Sequence, residues 1–485
     1  SGTITNLNLI MTGLRASGDR SIIDSGSGIR DLTINDTTNS GNNVHKLGNN
    51  LSISGDLTMT SGTFSTVTPA GASMNLTVAG QLTASGGSLL LNNSTVSFGA
   101  VMAIGNAGSV TCADTNLTTH SFSLGQGPFT APSASGSFII TNETSNLAFD
   151  YDGNQFVHNS GTIDIRTQAT TLVDFGSNNG TAHIGNVKIN HASCVAKLQN
   201  AGSLLGNLDI ALGTLDTDGN ALTVAGKTIV GDGSSPANTA KLTCNASTIS
   251  LGASYTADYA LRVKRGGTFE GGSGQHTFGS FSNQDHADSI TTLTTHASGT
   301  TLSSEYSSAG PNGYALAVYD DSTFDDADGL VVYTGPSADS YLSGKTLHNV
   351  TINSSGNTIG MQNAHTFNGN LTITAGTINT TSNDYAVGGA CTLNGGTFTG
   401  NASTVSHGSL TISSGTYNAT NQTTTLNGTV DVGMRVDGTF NNNDGTFVID
   451  GSITKVQMGS IGGAPTGFSI NNAPFHHLTI NDSIN

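Results

Sequence analysis

The sequence predicts an all-β protein that folds as a parallel β-helix, or β-solenoid, of roughly 20-residue rungs. Two observations predict this fold: a cassette of apolar residues, glycine and threonine recurs along the chain, and apolar and polar residues alternate within it. The cassette of residues 369–389 recurs at 408–428 and stands far upstream at 206–226. Its shared positions are Leu371, Leu410 and Leu208; Ile373, Ile412 and Ile210; Gly376, Gly415 and Gly213; Thr377, Thr416 and Thr214; and Gly389, Gly428 and Gly226. Repeats of this length are typical of stacked architectures, in which each unit contacts only its neighbours.

The start of each rung is predicted to be a β-strand. Leu371, Thr372, Ile373 and Thr374 alternate apolar and polar side chains, the pattern of a half-buried strand. Glycine and asparagine interrupt the rungs, and turns with positive φ are predicted at three Asn-Gly dipeptides. These dipeptides are Asn368-Gly369, Asn394-Gly395 and Asn427-Gly428. Only 8 of the 485 residues are proline, which fits continuous hydrogen-bonded ladders because proline interrupts them.

An array of separate β-sandwich domains is the alternative architecture. Sandwiches need longer strands and linkers between domains, and neither is visible in the sequence. Near-identical rungs stacked in register also predict ladders of Asn, Thr and Ser side chains. At the repeat length seen here the chain would form about 24 rungs.

A second, longer repeat divides the chain into super-repeats. Related rungs open at 29–36, 184–191, 347–354 and 475–482. They predict super-repeats over 1–183, 184–346 and 347–474, with the start of a further one at 475–485. The second contains an irregular insert at about 253–346, either degenerate rungs with long loops or a small inserted module. Because both ends of the chain fall inside repeats, we expect a segment of a longer repetitive protein.

Composition excludes several classes of partner. The chain has 15 basic and 32 acidic residues, a formal net charge of −17. Phosphate backbones and anionic lipids are bound by clusters of Lys and Arg, so no nucleic-acid partner is expected. No stretch approaches the roughly 20 apolar residues of a membrane span, so no membrane insertion is expected. Four cysteines are scattered singly and are predicted to be buried free thiols: Cys112, Cys194, Cys244 and Cys391.

Two turns rich in aspartate are candidates for metal sites. Asp326 and Asp328 lie in one of them, and Asp216 and Asp218 lie in the other. Calcium binds several carboxylate and carbonyl oxygens, so these four residues are candidate ligands, and calcium is the one cofactor that the residues suggest. Both turns lack the spaced ligands and distal glutamate of an EF-hand, and the alternative is a solvated turn between rungs.

No catalytic constellation stands out, and we expect no enzymatic activity. Glycosidase or lyase chemistry needs two carboxylates on one face, and Glu270, Asp285 and Asp288 are the candidates within the irregular region. Their alternative role is that of separate surface charges. His476 and His477 are adjacent, so a strand would direct them to opposite faces and prevent joint metal ligation.

The recurring pattern resembles the β-solenoid stretches of long bacteriophage tail-fibre and other virion structural proteins. It is carried by Leu-Thr-Ile-Asn at 32–35, Ala-Gly-Thr at 375–377, Gly-Gly-Thr-Phe at 395–398 and Ser-Thr-Val at 403–405. Similar repeats occur in large secreted bacterial adhesins. The resemblance covers nearly all of the chain except 253–346 and carries over no catalytic residue.

This resemblance implies a structural fibre or shaft of a phage virion that supports attachment to the host surface. The alternative is a bacterial surface adhesin or extracellular matrix filament, and the third hypothesis is a polysaccharide depolymerase. The implied partners are other copies of the chain, virion or cell-surface proteins, and host glycans along its flank. The implied location is the virion or the cell exterior.

Overall fold

The regular structure of the chain is entirely β. A computed structural model describes residues 7–12, 20–22, 28–37, 44–142, 147–151, 155–176, 183–284, 286–303, 313–336, 339–453, 455–458, 468–470 and 475–481. These residues contain no helix, and therefore none that is long and apolar enough to cross a membrane.

The strands of the first half are β1 Leu7–Met11, β2 Arg20–Ile22, β3 Ile29–Asn35, β4 Val44–Leu47, β5 Leu51–Ile53, β6 Leu57–Ser61, β7 Thr63–Ser65, β8 Leu76–Val78, β9 Leu82–Leu90, β10 Thr95–Thr111, β11 Asn116–Leu124, β12 Phe129–Thr130, β13 Ser137–Ile140, β14 Leu147–Tyr151, β15 Phe156–Val157, β16 Thr162–Ile165, β17 Thr170–Val173, β18 Asn186–Leu198, β19 Gly202–Leu204, β20 Leu208–Asp216, β21 Leu222–Val224 and β22 Thr228–Val230. Those of the second half are β23 Ala240–Thr243, β24 Ile249–Leu251, β25 Leu261–Val263, β26 Gly267–Glu270, β27 His276–Phe278, β28 Phe281–Asn283, β29 Ile290–Thr292, β30 Thr300–Leu302, β31 Tyr314–Val318, β32 Thr323–Asp325, β33 Leu330–Tyr333, β34 Asp339–Leu342, β35 Thr346–Leu347, β36 Asn349–Gly360, β37 His365–Phe367, β38 Leu371–Asn379, β39 Tyr385–Thr399, β40 Val405–Asn418, β41 Thr423–Leu426, β42 Val432–Val436, β43 Thr439–Asn441, β44 Thr446–Ile449, β45 Lys455–Met458, β46 Phe468–Ile470 and β47 His477–Ile480.

The chain divides into two compact units. The first consists of Ser1–Gly226 with Asn238–Leu242, and the second of Lys227–Ala237 with Thr243–Asn485. The division into super-repeats stays a prediction from the sequence.

The first unit is a stack of parallel strands. One ladder runs in order through β5, β8, β10, β11, β13, β16, β18 and β20. Equivalent residues of successive turns, such as Leu76, Val96 and Leu117, pair directly and are buried. Each turn therefore covers the apolar side chains of the turn before it.

The second unit presents three faces that repeat from turn to turn. The Leu-Ile face consists of residues 350–352, 371–373, 391–393, 410–412 and 434–436. The Thr-Asn face consists of residues 358–360, 377–379, 397–399, 416–418 and 439–441. The histidine face consists of residues 365–367, 385–387, 405–407, 424–426 and 447–449. Within each face the pairing is parallel and in register, so like positions lie above one another.

Residues 253–346 continue this parallel pairing within the second unit. One ladder runs through β25, β28, β31 and β34, and another through β27, β30 and β33. The second ladder pairs Phe278, Leu302 and Tyr333, all of them buried. Larger aromatic side chains here fill interior positions that Leu and Ile fill in the cassettes, which makes the repeat hard to recognise by eye.

Side-chain ladders at a corner link successive turns, as the sequence predicts. In the second unit, Oδ1 of Asn349 accepts a hydrogen bond from the backbone N–H of Asn370 at 2.9 Å, and Oδ1 of Asn370 accepts one from Ala390 at 2.8 Å. The glycine before each donating N–H leaves room for this carboxamide, because a Cβ on Gly369 or Gly389 would overlap the side-chain oxygen of the turn before. The asparagine of one turn therefore accepts the hydrogen bond, and the glycine of the next turn leaves the space for its side chain.

The turn residues differ in part from the prediction. None of the three Asn-Gly dipeptides has a positive φ, and Asn394-Gly395 lies inside strand β39. Positive φ occurs instead at the motif glycine before threonine, with φ 85° at Gly376 and 88° at Gly415, and at the corner residue Asn401, with φ 48°. The expected positive φ is therefore absent at all three dipeptides, but Asn368-Gly369 lies at a bend between β37 and β38 and Asn427-Gly428 lies between β41 and β42, so only Asn394-Gly395 lies within a strand.

The core of each unit contains stacked aromatic rings. In the second unit the rings of Phe398 and Tyr417 lie 4.8 Å apart with planes 7° from parallel, and those of Tyr417 and Phe440 lie 5.8 Å apart at 5°. In the first unit Phe122 contacts Phe129 at 4.8 Å and Phe149 at 5.2 Å between ring centroids. Phe122 and Phe129 belong to one turn, whereas the other three contacts join residues of neighbouring turns, so the aromatic core also holds the turns together.

The parallel β-solenoid is thus confirmed. The described residues form about 18 turns of roughly 22 residues each. The 24 rungs expected for the 485-residue chain are too many, because each rung is longer than the roughly 20 residues expected. Every pairing described between the strands named above is parallel, as a solenoid requires and antiparallel sandwiches do not show.

Candidate functional site

The aspartates at 216 and 218 form a turn in which both carboxylates lie near one lysine. Oδ1 of Asp216 accepts a hydrogen bond from the backbone N–H of Asp218 at 2.9 Å, and Asp218 has a positive φ of 50°. Nζ of Lys197 lies 3.6 Å from Asp216 and 3.3 Å from Asp218. The hydrogen bond to Asp218 and the charges of both carboxylates raise the pKa of Lys197. The structure thus brings both predicted residues together, around an ammonium group.

The aspartates at 326 and 328 have unequal environments. Asp326 is buried and its carboxylate accepts a hydrogen bond from the backbone N–H of His348. Burial raises the pKa of Asp326, against the lowering effect of this hydrogen bond. Asp328 has an exposed side chain, 3.6 Å from Nδ1 of His348. Both carboxylates therefore lie near His348, but that of Asp326 is buried within the turn and that of Asp328 is exposed to solvent.

Metal binding at these four residues stays a prediction. The described part of the chain has no group of three or more His, Cys, Asp or Glu side chains placed to hold a metal ion. Backbone carbonyls and water also ligate calcium, so calcium at these turns is a question for experiment.

The carboxylates considered for catalysis make separate contacts. Oε2 of Glu270 accepts a hydrogen bond from the Thr243 hydroxyl at 3.4 Å, and Asp288 lies 3.5 Å from Nε of Arg265. Asp285 lies outside the described residues. The rings of His476 and His477 lie 4.4 Å apart, so the expectation that they point to opposite faces is wrong, because His476 precedes strand β47 rather than lying in it.

A serine and a histidine meet in the core of the second unit. Nε2 of His365 lies 3.1 Å from the Ser340 hydroxyl, and Nδ1 donates to the carbonyl of Asn363 at 2.7 Å. The Tyr333 hydroxyl lies 3.0 Å from Ser340. Burial lowers the pKa of His365 to about 4, so the ring is neutral at pH 7. Because Nδ1 carries the proton for the carbonyl, Nε2 accepts the hydrogen bond from Ser340.

This arrangement is structural rather than nucleophilic. Tyr333, Ser340 and His365 are at most 1% exposed, so no substrate reaches the serine. The histidine is oriented by a carbonyl, whereas a catalytic base of this type is oriented by a carboxylate. Sequence reasoning missed the pair because the two residues lie 25 positions apart, about one turn of the solenoid.

The cysteines are confirmed as buried free thiols. Burial raises the pKa of Cys112 and of Cys391 far above the usual thiol range. A nucleophilic cysteine needs the thiolate form, so these thiols contribute to packing.

The most regular surface of the second unit is the Thr-Asn face. Its outward positions form two ranks. The first rank is Thr358, Thr377, Thr397, Thr416 and Thr439; the second is Asn379, Thr399, Asn418 and Asn441, with the buried Gly360 at the same register position one turn below. The sequence contains its signal, because Gly-Thr followed by a large apolar residue and then Asn or Thr recurs at 376–379, 396–399, 415–418 and 438–441. Sequence analysis found the repeat but not the surface, since only the register shows which residues lie side by side.

No protein-family model matches the chain, and comparison with curated proteins and with solved structures gives no match at the significance required.

Proposed function

We propose that this chain is a structural segment of an extracellular appendage, the shaft of a bacteriophage tail fibre or similar virion fibre. The observation that carries the proposal is the unbroken parallel ladder within each unit, such as the eight successive strands of the first unit. Hydrogen bonds and side-chain ladders join every turn of this ladder to the next. A stack of this kind resists bending without a large globular core.

The burial or pairing of potentially reactive side chains supports the same proposal. Ser340, His365 and the four thiols are buried, and Lys197 pairs with the aspartates of its turn. These groups stabilise the stack, and the buried serine, histidine and thiols are not available to a substrate at its surface. We therefore propose a mechanical role, with no catalysis, in which the chain holds a binding module away from the particle.

The resemblance of the repeats to those of virion fibres suggests the partners and the location of the chain. The proposed partners are other copies of this chain, virion proteins at its base and glycans of the host surface. The proposed location is the virion, outside the cell.

Labelling of intact particles tests the proposal. Antibodies raised against the full chain are coupled to gold and applied to purified virions and to whole cells. The proposal expects gold along virion appendages and the chain among the virion proteins detected by mass spectrometry. Gold on filaments of uninfected cells would instead establish the second candidate, a bacterial adhesin or matrix filament, which the resemblance to secreted adhesins favours. Release of oligosaccharides from host capsule by the purified chain would establish the third, a depolymerase.

A further inference from the structure

The Thr-Asn face of the second unit is straight along the stacking direction. Directly behind its two ranks, the rings of Phe398, Tyr417 and Phe440 stack with planes 7° and 5° from parallel. Parallel rings in three successive, in-register turns indicate that these turns are nearly translated copies of one another. The threonines in front of them therefore form a straight column, spaced by the strand separation of about 4.8 Å.

The first rank presents free hydroxyl groups. Thr377, Thr397, Thr416 and their neighbours in the column make no side-chain hydrogen bond to any other described residue, and their side chains reach solvent. The second rank is held in place. Nδ2 of Asn441 donates to Oδ1 of Asn418 at 2.8 Å, and Nδ2 of Asn418 donates to the Thr399 hydroxyl at 3.4 Å. The face is therefore a rigid lattice of hydrogen-bonding groups.

The lattice carries no charge over the four turns from Thr377 to Asn441, where every position of both ranks is Thr or Asn; at its lower end Gly360 is buried against the carboxylate of Asp339. The corresponding outward positions of the other two faces are less uniform. The Leu-Ile face ends in Arg435, which pairs with Asp437 at 2.8 Å, and the histidine face includes Ala386 and Val448. A ligand of the Thr-Asn face is therefore neutral and repeats at the same interval as the turns.

The size and composition of the face argue against a protein partner and against a sugar bound by aromatic stacking. Five strands, each three residues wide, present about 200 Å², whereas a stable protein interface buries about 800 Å² per partner. A second copy of the chain would thus need surface far beyond this face. Stacking on a sugar needs an aromatic ring at the surface, and the rings at this face all point inward.

We propose that the Thr-Asn face binds the surface of an ice crystal. Ice is an uncharged lattice in which every water molecule both donates and accepts hydrogen bonds, and a threonine hydroxyl does both. The repeat of oxygen positions along the basal plane of hexagonal ice is close to the separation of the strands. A preformed, rigid array loses little entropy when it meets such a lattice. The inference does not depend on the proposed role as a fibre shaft.

Partition of the full chain into growing ice tests this site. The fluorescently labelled protein is supplied to a slowly growing ice hemisphere, and its ratio between ice and liquid is measured with thermal hysteresis and crystal shape. The expected result is enrichment in ice, shaped crystals and measurable hysteresis. Thr416→Lys, which places a charge in the middle of the column, is expected to lower the ratio at least tenfold.

Thr425→Lys provides the matched control. Thr425 is an outward, partly exposed strand residue of the histidine face, and this variant is expected to partition like the wild type. Circular dichroism melts identify any variant that misfolds, in which case Thr397→Lys replaces Thr416→Lys.

Three outcomes would overturn the proposal. The first is exclusion of the wild-type chain from ice, including a result in which it binds insoluble cellulose or chitin instead. The second is an equal loss of partition in Thr416→Lys and Thr425→Lys. The third is a dimer in sedimentation that Thr416→Lys dissociates, which would assign the face to a second copy of the chain.

Discussion

Nε2 of His407 lies 2.8 Å from the hydroxyl oxygen of Tyr417, and both side chains are fully buried within the second unit. The two residues belong to adjoining faces of the solenoid, and the ring of Tyr417 also stacks on Phe398 and Phe440. One polar contact is therefore enclosed within an aromatic core.

Removal of the Tyr417 hydroxyl is expected to destabilise the protein. Tyr417→Phe keeps the ring stack but leaves a buried imidazole nitrogen without its partner, at a cost of about 1–3 kcal/mol in the free energy of unfolding. Urea unfolding measures the change. Tyr385→Phe is the control, because the buried Tyr385 hydroxyl has no hydrogen-bond partner among the described residues, and it is expected to be neutral or stabilising. Equal losses in both variants would contradict the assigned hydrogen bond.

Stability is expected to fall as the pH drops from neutrality. Burial lowers the pKa of His276 and of His365 to about 4 and that of His407 to about 3, against about 6.5 in the unfolded chain. The unfolded chain therefore binds protons first, so the stability is complete above about pH 6.5 and is lost as the pH falls to about 4 for His276 and His365 and to about 3 for His407. The loss is on the order of 3 kcal/mol for each imidazole.

Unfolding by urea at pH 7.5 and 5.5 measures this slope. Burial raises the pKa of Asp326 and of Asp339, so these carboxyls act in the opposite sense at more acidic pH. His407→Phe is expected to flatten the slope between pH 7.5 and 5.5, whereas His477→Gln at the exposed end of β47 leaves it unchanged. A slope that His407→Phe does not reduce would count against the buried neutral imidazole.

The corner glycines are expected to tolerate no side chain. In the first unit, Oδ1 of Asp56 accepts a hydrogen bond from the N–H of Gln81 at 2.9 Å. A Cβ on Gly80 would overlap this oxygen and the backbone of Gly55. Gly80→Ala is expected to cost about 1–3 kcal/mol, as overpacking does. Gly105→Ala is the control, because its Cβ would make only ordinary contacts and its unfolding free energy should stay near that of the wild type.

Calcium is expected to stabilise the turn at Asp216 and Asp218 only after its lysine is removed. In Lys197→Met the two carboxylates lose the ammonium that lies 3.6 and 3.3 Å from them. A divalent cation then has two adjacent carboxylates to bind. The melting temperature of Lys197→Met should rise when millimolar calcium replaces a chelator, and that of the wild type should stay constant. A calcium-dependent rise in the wild type that Asp218→Asn abolishes would show the predicted metal site instead.

The sequence predicts the fold well because the rung is a local pattern. The alternation around Leu371 and Ile373 determines which side chains point inward, and both are fully buried. The prediction of a turn is wrong at Asn394-Gly395, because the propensity of a dipeptide is weaker than pairing with the neighbouring turns, whereas Asn368-Gly369 does lie at a bend between strands. Asn394 and Gly395 lie within β39, where pairing with the neighbouring turns holds the backbone extended.

Side-chain relationships across turns are less visible in the sequence. Ser340 contacts His365, and Asn370 contacts Ala390, over 25 and 20 positions. These separations differ because the loops between strands vary in length, so register has to be known before contacts are assigned. The Thr-Asn face follows from the same register, which explains why its repeated Gly-Thr motif was visible while its surface was not.

The glycine-asparagine corners and the in-register faces also allow the chain to change length without loss of its core. Gly389 and Gly408 occupy equivalent places, since Ala390 pairs with Ser409 and Cys391 with Leu410 in the next turn. Deletion of residues 390–408 would join Gly389 to Ser409 and bring Ile373 directly beneath Ile412, with every inward residue still inward. Duplication of the same segment would add one turn. Selection can therefore change the length of such a protein by whole turns. Insertion of a single residue within a strand would instead point its apolar side chains into water.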